Sequence, residues 1–306
     1  MNIIKYHNRI MKYINQLETS EKCALYVSCI LNCICYNCSI RDYFLFKFYQ
    51  LNHRGKKEYL SGIEQNKWYS KNNDSEMEKI FNDKESCLRF FNQIIERKWC
   101  GPNSSQEQFD DFEKTNKEAI FKPLNLCGGK GISIQRLSSF SSSLYLYCKK
   151  EGVLVEELIS QHSDLGKLYP YSVNTIRMVT RNNELIAAVL RTGRNKSRVD
   201  NMSSGGIVAA IDIDTGIVFT VGYTNDGDEF IHHPDTGVII PGFTIPKWKE
   251  CKEYVKKASE MCNGVPIIGW DVAISTDGPT LVEVNARPEI ELIEVPFGKG
   301  VRKLFR

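Results

Sequence analysis

No stretch of this chain is apolar for long enough to cross a bilayer: the longest apolar-rich run, Cys23 to Tyr36, is interrupted by Ser28 and Asn32. The N-terminus lacks the basic start, the apolar core of about 7–15 residues and the small-residue cleavage site of an export signal. The expectation is a soluble, cytoplasmic protein without a transmembrane segment. Charge of one sign is lacking too, with Lys+Arg 40 against Asp+Glu 37 and a net +3. With no acidic or basic tail, nucleic acid is not expected as a partner, although a modest local basic patch is compatible with these numbers. The 11 cysteines are an odd number scattered along the chain, which reads as reduced thiols rather than a disulfide framework. Cys35 and Cys38 have zinc-knuckle spacing but no second Cys/His pair at the matching distance.

What is present is a chain of 306 residues, 42% hydrophobic, long enough for a sizeable core and for two domains. Residues 1 to about 80 read as helical and show no βαβ pattern. In this part Leu25, Cys29, Asn32 and Cys33 share one helical face with Ile30 and Cys23 nearby, the run Tyr43 to Tyr49 reads as a packing segment, and the polar stretch Ser61 to Met77 as a boundary. A helix is predicted from Asn82 or Asp83 toward Gly101, and a second over Glu107 to Lys117. Strand patterns follow at 119–123, 132–137 and 152–159, then in two hairpins across 171–223. Asp212 and Asp214 read as turn formers, and Pro246 to Cys262 as an amphipathic helix.

Chemistry concentrates in a few places. Gly269 to Pro288 has two alternating runs around Thr276-Asp277-Gly278-Pro279, the pattern of a hairpin. A register centred on Asp277 sets Asp271 opposite Glu283, with Asn285 on the same face. Two carboxylates and an amide oxygen in one patch suit Mg²⁺, and the same residues also fit the exposed face of an ordinary hairpin. The loop from Lys122 to Gly131 carries Gly128, Gly129 and Gly131 with Lys122 and Lys130, a backbone free to approach phosphate and cations to neutralise it. It is not a P-loop, since no Ser or Thr follows Gly129-Lys130. Glu156 and Glu157 end an apolar strand, where acids accept hydrogen bonds from a ligand. Arg177 and Arg191 sit on apolar strands, with Arg194 and Arg198 beyond, and suit bidentate binding of carboxylate or phosphate. The linker Asn195 to Gly206 is a candidate mobile substrate loop.

Taken in order, Phe121-Lys122-Pro123, Gly128-Gly129-Lys130-Gly131, Val155 to Ile159, Asn174 to Arg177, Gly269-Trp270-Asp271 and Glu283 to Pro288 resemble the ATP-grasp superfamily over roughly residues 82–298, specifically its sugar-transfer-associated branch. The resemblance implies an α+β ATP-grasp fold, two α+β subdomains sandwiching ATP, behind a mostly helical N-terminal region. The divisions expected are 1–80, 81–160 and 161–306. It further implies Lys122 on the α/β phosphates and the loop with Gly128, Gly129, Lys130 and Gly131 closing over the triphosphate. Glu156, Glu157, Leu158 and Ile159 would meet the adenine, and Gln161 or His162 the ribose. Asp271, Glu283 and Asn285 would hold one or two Mg²⁺, while Arg177, Arg191 and Arg287 would steady the transferring phosphoryl group or the acceptor. The implied activity is an ATP- and Mg²⁺-dependent ligase that joins an amine to a carboxylated sugar or glycan precursor of polysaccharide biosynthesis through an acyl phosphate. A small-molecule or sugar kinase and a nucleotide-binding scaffold of glycan assembly are the alternatives. Partners expected are the carboxylate acceptor and the amine donor, with self-association or docking through the N-terminal region.

Overall fold

The computed structural model describes residues 11, 14–15, 17–126, 129–139 and 143–305. Helices dominate the N-terminal part: α1 (Thr19–Tyr36), α2 (Ile40–Leu45), α3 (His53–Lys56), α4 (Gly62–Asn72), α5 (Ser75–Asn82) and α6 (Lys84–Phe90). Local chemistry sets their starts. Ser39, Asn52, Ser61, Asp74 and Asp83 each accept a hydrogen bond from a first-turn N–H, satisfying donors that a helix cannot pair internally. One start corrects the expectation of a boundary at 61–77. Ser61 and Glu64 form a reciprocal capping box, and the helix they open buries Tyr69. In α1, Leu25, Cys29 and Asn32 face inward as expected, whereas Cys23 and Ile30 face outward. Tyr43, Phe46 and Phe48 pack with Tyr59, so the aromatic run is core.

The next segment folds into a small antiparallel sheet. β1 (Trp99–Cys100), α7 (Gln106–Thr115), β2 (Glu118–Pro123), β3 (Ser133–Arg136), α8 (Leu144–Glu151) and β4 (Val153–Glu156) give the strand order β1-β4-β2-β3. Phe109 and Phe112 of α7 and Leu144 and Cys148 of α8 cover Ala119, Phe121, Val153 and Val155 on one face. The helix from Asp83 is shorter than its apolar spacing predicts, because the chain leaves it after Phe90 to supply β1.

The remainder builds a seven-stranded antiparallel sheet in the order β11-β10-β5-β6-β7-β8-β9. Its elements are α9 (Ser163–Leu168), β5 (Thr175–Arg181), β6 (Glu184–Thr192), β7 (Ile207–Ile211), β8 (Gly222–Thr224), β9 (Glu229–Phe230), α10 (Trp248–Glu260), β10 (Ile267–Ile274), β11 (Pro279–Asn285) and α11 (Glu291–Phe297). Both faces of the central strands are covered. Ile176, Met178, Trp270 and Val272 meet Trp248, Cys251, Val255 and Ala258 of α10, while Val179, Ala187 and Ile267 meet Leu60, Tyr69, Ile290 and Ile293. The buried Trp270 indole donates to Thr180 Oγ1 at 2.9 Å, so its polar N–H is satisfied.

Helix α11 carries a carboxyl into this second core. Glu294 is 1% exposed and accepts the Val301 N–H at 3.1 Å, while its second oxygen has no partner. Burial pushes its pKa up to about 8, against the Leu60 and Val301 N–H groups that favour the anion. A raised carboxyl keeps its proton in the folded chain after the unfolded chain has lost it. Stability therefore falls as pH rises from the ordinary Glu range to about 8, and levels off above it. Glu294→Gln should remove that slope, raising unfolding free energy at pH 8 by an amount on the order of 4 kcal/mol while changing it little near pH 5. Denaturant titrations of both proteins at the two pH values check this, and an equal loss at both would contradict it.

Candidate active site

The β10–β11 hairpin sets Asp271 opposite Glu283 and Gly269 opposite Asn285. The route to that register differs from the expected one. Ser275 and Gly278 close the turn, with Ser275 N–H on Gly278 O at 2.8 Å and the Ser275 hydroxyl accepting from the Asp277 and Gly278 N–H groups, each at 3.1 Å. Pro279 therefore opens β11 instead of belonging to the turn. Continued without a break, the Val272–Leu281 pairing would bring Val282 opposite Asp271; a bulge between Asp271 and Val272 restores Glu283. The extra residue also lets both Leu281 and Val284 enter the core while Glu283 and Asn285 stay on the polar face.

Asp271 is 3% exposed and lies between two guanidinium groups. Arg177 Nε donates to Oδ1 at 2.6 Å and Nη2 to Oδ2 at 3.0 Å, while Arg191 Nη1 meets Oδ2 at 2.7 Å. Arg191 continues to Asp200 Oδ1 at 3.2 Å and to the Asn201 side chain. Asp200 also accepts from the backbone N–H (3.0 Å) and hydroxyl of Thr175. Burial by itself raises the Asp271 carboxyl, but Arg177 and Arg191 outweigh it and hold the group well below the usual carboxylate range. Arg177 directs donors at Asp271, and Arg191 at Asp271, Asp200 and Asn201, so both hold the hairpin acid in place. Asp271, expected as a cation ligand, already has both oxygens hydrogen-bonded.

Glu283 has the freer carboxylate. It is exposed, and desolvation by the surrounding protein and then the Asp271 charge beside it raise its pKa. Beside it, Asn285 has its Nδ2 buried without a partner; a half-turn of that amide exchanges N for O. A carboxylate strained by a like charge, next to an unpaired amide, is a donor set that fits a hard divalent cation.

The small sheet supplies a second ion cluster. Glu156, 2% exposed, receives Lys122 Nζ on Oε1 at 2.5 Å, and Arg97 on Oε2 through Nε at 2.7 Å and Nη2 at 2.6 Å. Burial opposes its ionisation, yet Arg97 and Lys122 hold its pKa down to about 2. Glu156 is therefore the counter-charge of Lys122 in this structure. Arg97 also donates to Thr280 Oγ1 at 3.2 Å and to Leu281 O, clamping the small sheet to β11. Sequence reasoning missed Arg97, which lies in the irregular stretch between α6 and β1 with no pattern to mark it. Because Arg97 shares Glu156 with Lys122, this clamp ties the Lys122 cluster to β11, the strand that carries Glu283.

Around these clusters the other expected residues sort themselves. Glu157 is tied to Lys98, accepting its N–H on Oε2 at 3.0 Å and donating its own N–H to Lys98 O at 2.9 Å. Leu158 is 37% exposed on the connection that follows, with Ile159 half-buried beside it. Gln161 spends its amide on Tyr169 O, Ser172 O and both nitrogens of Asn174. His162 caps α9, accepting the Asp164 N–H on Nδ1 at 3.3 Å, so only Nε2 is left for a ribose. Arg287 does not extend the face of Asn285: it forms a two-pronged pair with Glu78 at 2.8 and 2.9 Å and bonds Ser70, fastening α4 and α5 to the hairpin end.

Gly128 lies outside the described residues. Gly129 and Gly131 adopt φ of +77° and +71°, a region that disfavours side chains. A Cβ on Gly129 would stand 3.0 Å from Val199 and 3.1 Å from Asn201, so the loop tip touches the segment that pairs with Arg191. That segment is not the free linker expected: Asp200 and Asn201 pin it to Thr175 and Arg191, and Ser197 O accepts the Tyr169 hydroxyl at 2.9 Å. Lys130 and Arg198 flank the contact, both exposed and without an ion-pair partner among the described residues.

A glycine loop and a Lys–Glu–Arg cluster on one antiparallel sheet, clamped to an acid–amide hairpin on another, define an ATP-grasp architecture. The sugar-transfer associated ATP-grasp family matches residues 134–306, more than half of the chain, and the protein belongs to that family. Comparison with curated proteins found no match. Among solved structures, the chain is similar to the ATP-grasp ligase PsnB complexed with a phosphomimetic variant of its minimal precursor, Mg and ADP (13% identity, TM-score 0.44, 77% of this chain and 61% of that one). It is also similar to the D-alanine–D-alanine ligase of Bacillus anthracis (12%, 0.43, 79% and 76%) and to the D-cycloserine synthetase DcsG (11%, 0.41, 74% and 71%). The alignment spans about three fifths of the PsnB chain.

Replacing Asp271 leaves two buried guanidinium groups without their shared counter-ion. Asp271→Asn should lower unfolding free energy by about 3–5 kcal/mol, the cost of breaking a buried pair, as read by urea denaturation at neutral pH. A loss below about 1 kcal/mol, the worth of a surface pair, would show that the cluster does not carry this load.

Proposed function

We propose that the protein is an ATP-dependent ligase that activates a carboxylate of a sugar or glycan precursor by phosphorylation and joins it to an amine. The observation that carries this reading is the clamp by which Arg97, sharing Glu156 with Lys122, ties the small sheet to the strand that carries Glu283 and Asn285, while the glycine loop of the same small sheet touches the Arg191 network. Lys122 and the loop carrying Gly129, Lys130 and Gly131 would hold the phosphates of ATP, and the exposed connection at Leu158 and Ile159 would meet its base. Glu283 and Asn285, with Asp271, would hold one or two Mg²⁺, which would supply neutralisation of the phosphate charge. The chain's own residues do the positioning. Arg177 and Arg191 keep Asp271 ionised and fixed, Glu156 holds Lys122 in an ion pair, and the loop packs against Val199. Lys130 and Arg198, exposed and unpaired at the loop contact, favour an anionic acceptor, which suits a carboxylate better than a neutral hydroxyl.

Purified protein given ATP, Mg²⁺, a uronic acid and an amine should release ADP and phosphate, and hydroxylamine should trap the activated acid as a hydroxamate. Glu283→Gln should reduce turnover by about 100-fold or more without unfolding the chain. Arg198→Ala should raise the acceptor KM with little change in kcat, the signature of a binding contact. A stable phosphoester formed without amine would replace the ligase reading with that of a kinase.

A further inference from the structure

The turn that follows β6 takes a conformation that lysine resists. Ser197 N–H bonds Arg194 O at 3.0 Å, and the two central residues, Asn195 and Lys196, have φ of +56° and +57°. Such a turn needs left-handed backbone at both central positions, which glycine and asparagine adopt readily and lysine adopts at a cost. The β5–β6 hairpin meets the same requirement with Asn182 and Asn183, at φ of +48° and +69°. Lys47 and Lys247 are left-handed as well, but their ammonium groups are paired, with Glu229 at 3.6 Å and Glu250 at 3.8 Å. Lys196 is exposed and has no ion-pair partner among the described residues.

Neighbouring elements hold this strained turn in place. Asp235 accepts the Lys196 N–H at 3.4 Å, so this acid serves the backbone and not the ammonium. His233, 1% exposed, donates from Nε2 to Gly193 O at 2.8 Å and packs against Tyr169, whose hydroxyl donates to Ser197 O at 2.9 Å. Arg194 is spent on the loop itself, donating from Nε to Gly205 O at 2.6 Å and lying over the Phe230 ring. Ser197 Oγ bonds both the N–H and the C=O of Val199, at 3.2 and 2.8 Å, so the turn runs directly into the residue beside Gly129. Strain that surrounding contacts maintain next to a site points to a task for the side chain.

Charge selects the ligand. Lys130 and Arg198 flank the glycine-loop contact, and Lys196 adds a third exposed cation two residues from Arg198, none of them ion-paired among the described residues. A single carboxylate carries one negative charge, which one guanidinium matches. A phosphate ester adds about −1.5 to −2 at neutral pH, and lysine binds phosphate as a point charge. We propose that Lys196 determines acceptor specificity, and that the acceptor is a carboxylated sugar that also carries a phosphate ester, its carboxylate on Arg198 and its phosphate on Lys196. The carboxylate rests on the ligase reading above; the phosphate rests on the turn.

Calorimetric titration of the full chain with glucuronate and with glucuronate 1-phosphate, in the presence of Mg²⁺ and ADP, tests this without requiring turnover. Glucuronate 1-phosphate should bind about 10-fold or more tighter, the worth of one charge-assisted contact. Lys196→Gly should bring that ratio below about 3, whereas Lys196→Arg, which keeps the charge, should preserve most of it. Lys196→Gly should also raise Tm by about 1–2 °C, because glycine relieves the left-handed position. Lost preference together with higher stability separates a side chain kept for binding from one kept for structure. Equal affinity for the two sugars, no binding of either, or a preference unchanged in Lys196→Gly overturns the proposal, as does a Tm that falls in that variant. A preference that depends on Lys196 without ADP release in the assay above supports the phosphate subsite and counts against the ligase reading alone. ADP release with equal use of the two sugars does the reverse.

Discussion

The carboxylate of Asp271, held between Arg177 and Arg191, is the interaction on which the rest of the large sheet depends. An unpaired charge in this interior would be too costly to keep, so the three side chains must meet whenever the chain is folded. They come from β10, β5 and β6, the central strands, so meeting sets the mutual register of all three. Arg191 carries the constraint outward through Asp200 and Asn201 to the segment under the glycine loop. A single buried anion thereby couples strand register to loop position.

The small sheet repeats this arrangement: one acid, Glu156, gathers Lys122 and Arg97. Arg97 then crosses to Thr280 and Leu281, so the second cluster is both a local pair and a clamp between sheets. Groups that pair fully in this way are architecture. Others remain incompletely paired: Glu283, crowded by Asp271, the orphaned amide of Asn285, and the exposed cations Lys130 and Arg198. The same distinction separates Gln161, whose amide is consumed by four local hydrogen bonds, from the more open connection at Leu158 and Ile159.

Much of this architecture was legible in the chain, because periodicity and turn chemistry are local. The helical N-terminal part, the β5–β6 hairpin, the amphipathic α10 and the β10–β11 hairpin all follow from alternation, capping residues and glycines. The misses share a cause. Ser61 opens a helix because Glu64 reaches back to it, a pairing hidden in a polar stretch that reads as a loop. The bulge at β11 corrects the effect of a tighter turn, so the opposition of Asp271 and Glu283 was expected for the wrong geometric reason. Arg97 occupies no regular element and becomes important only through what lies opposite it.

By itself the sequence determined many of the elements, the acid–amide hairpin, the glycine loop and the family, since each rests on residues close together in the chain. Only the tertiary structure decided which charged groups are partners and which remain open. Arg177 and Asp271 are 94 positions apart, Arg97 and Glu156 are 59, and Arg287 and Glu78 are 209. No local pattern encodes such pairings, because they are selected by the need to neutralise each charge that packing removes from water. The outward face of α1 shows the same limit, for periodicity identifies an apolar helix but only the folded chain shows which of its faces is left uncovered.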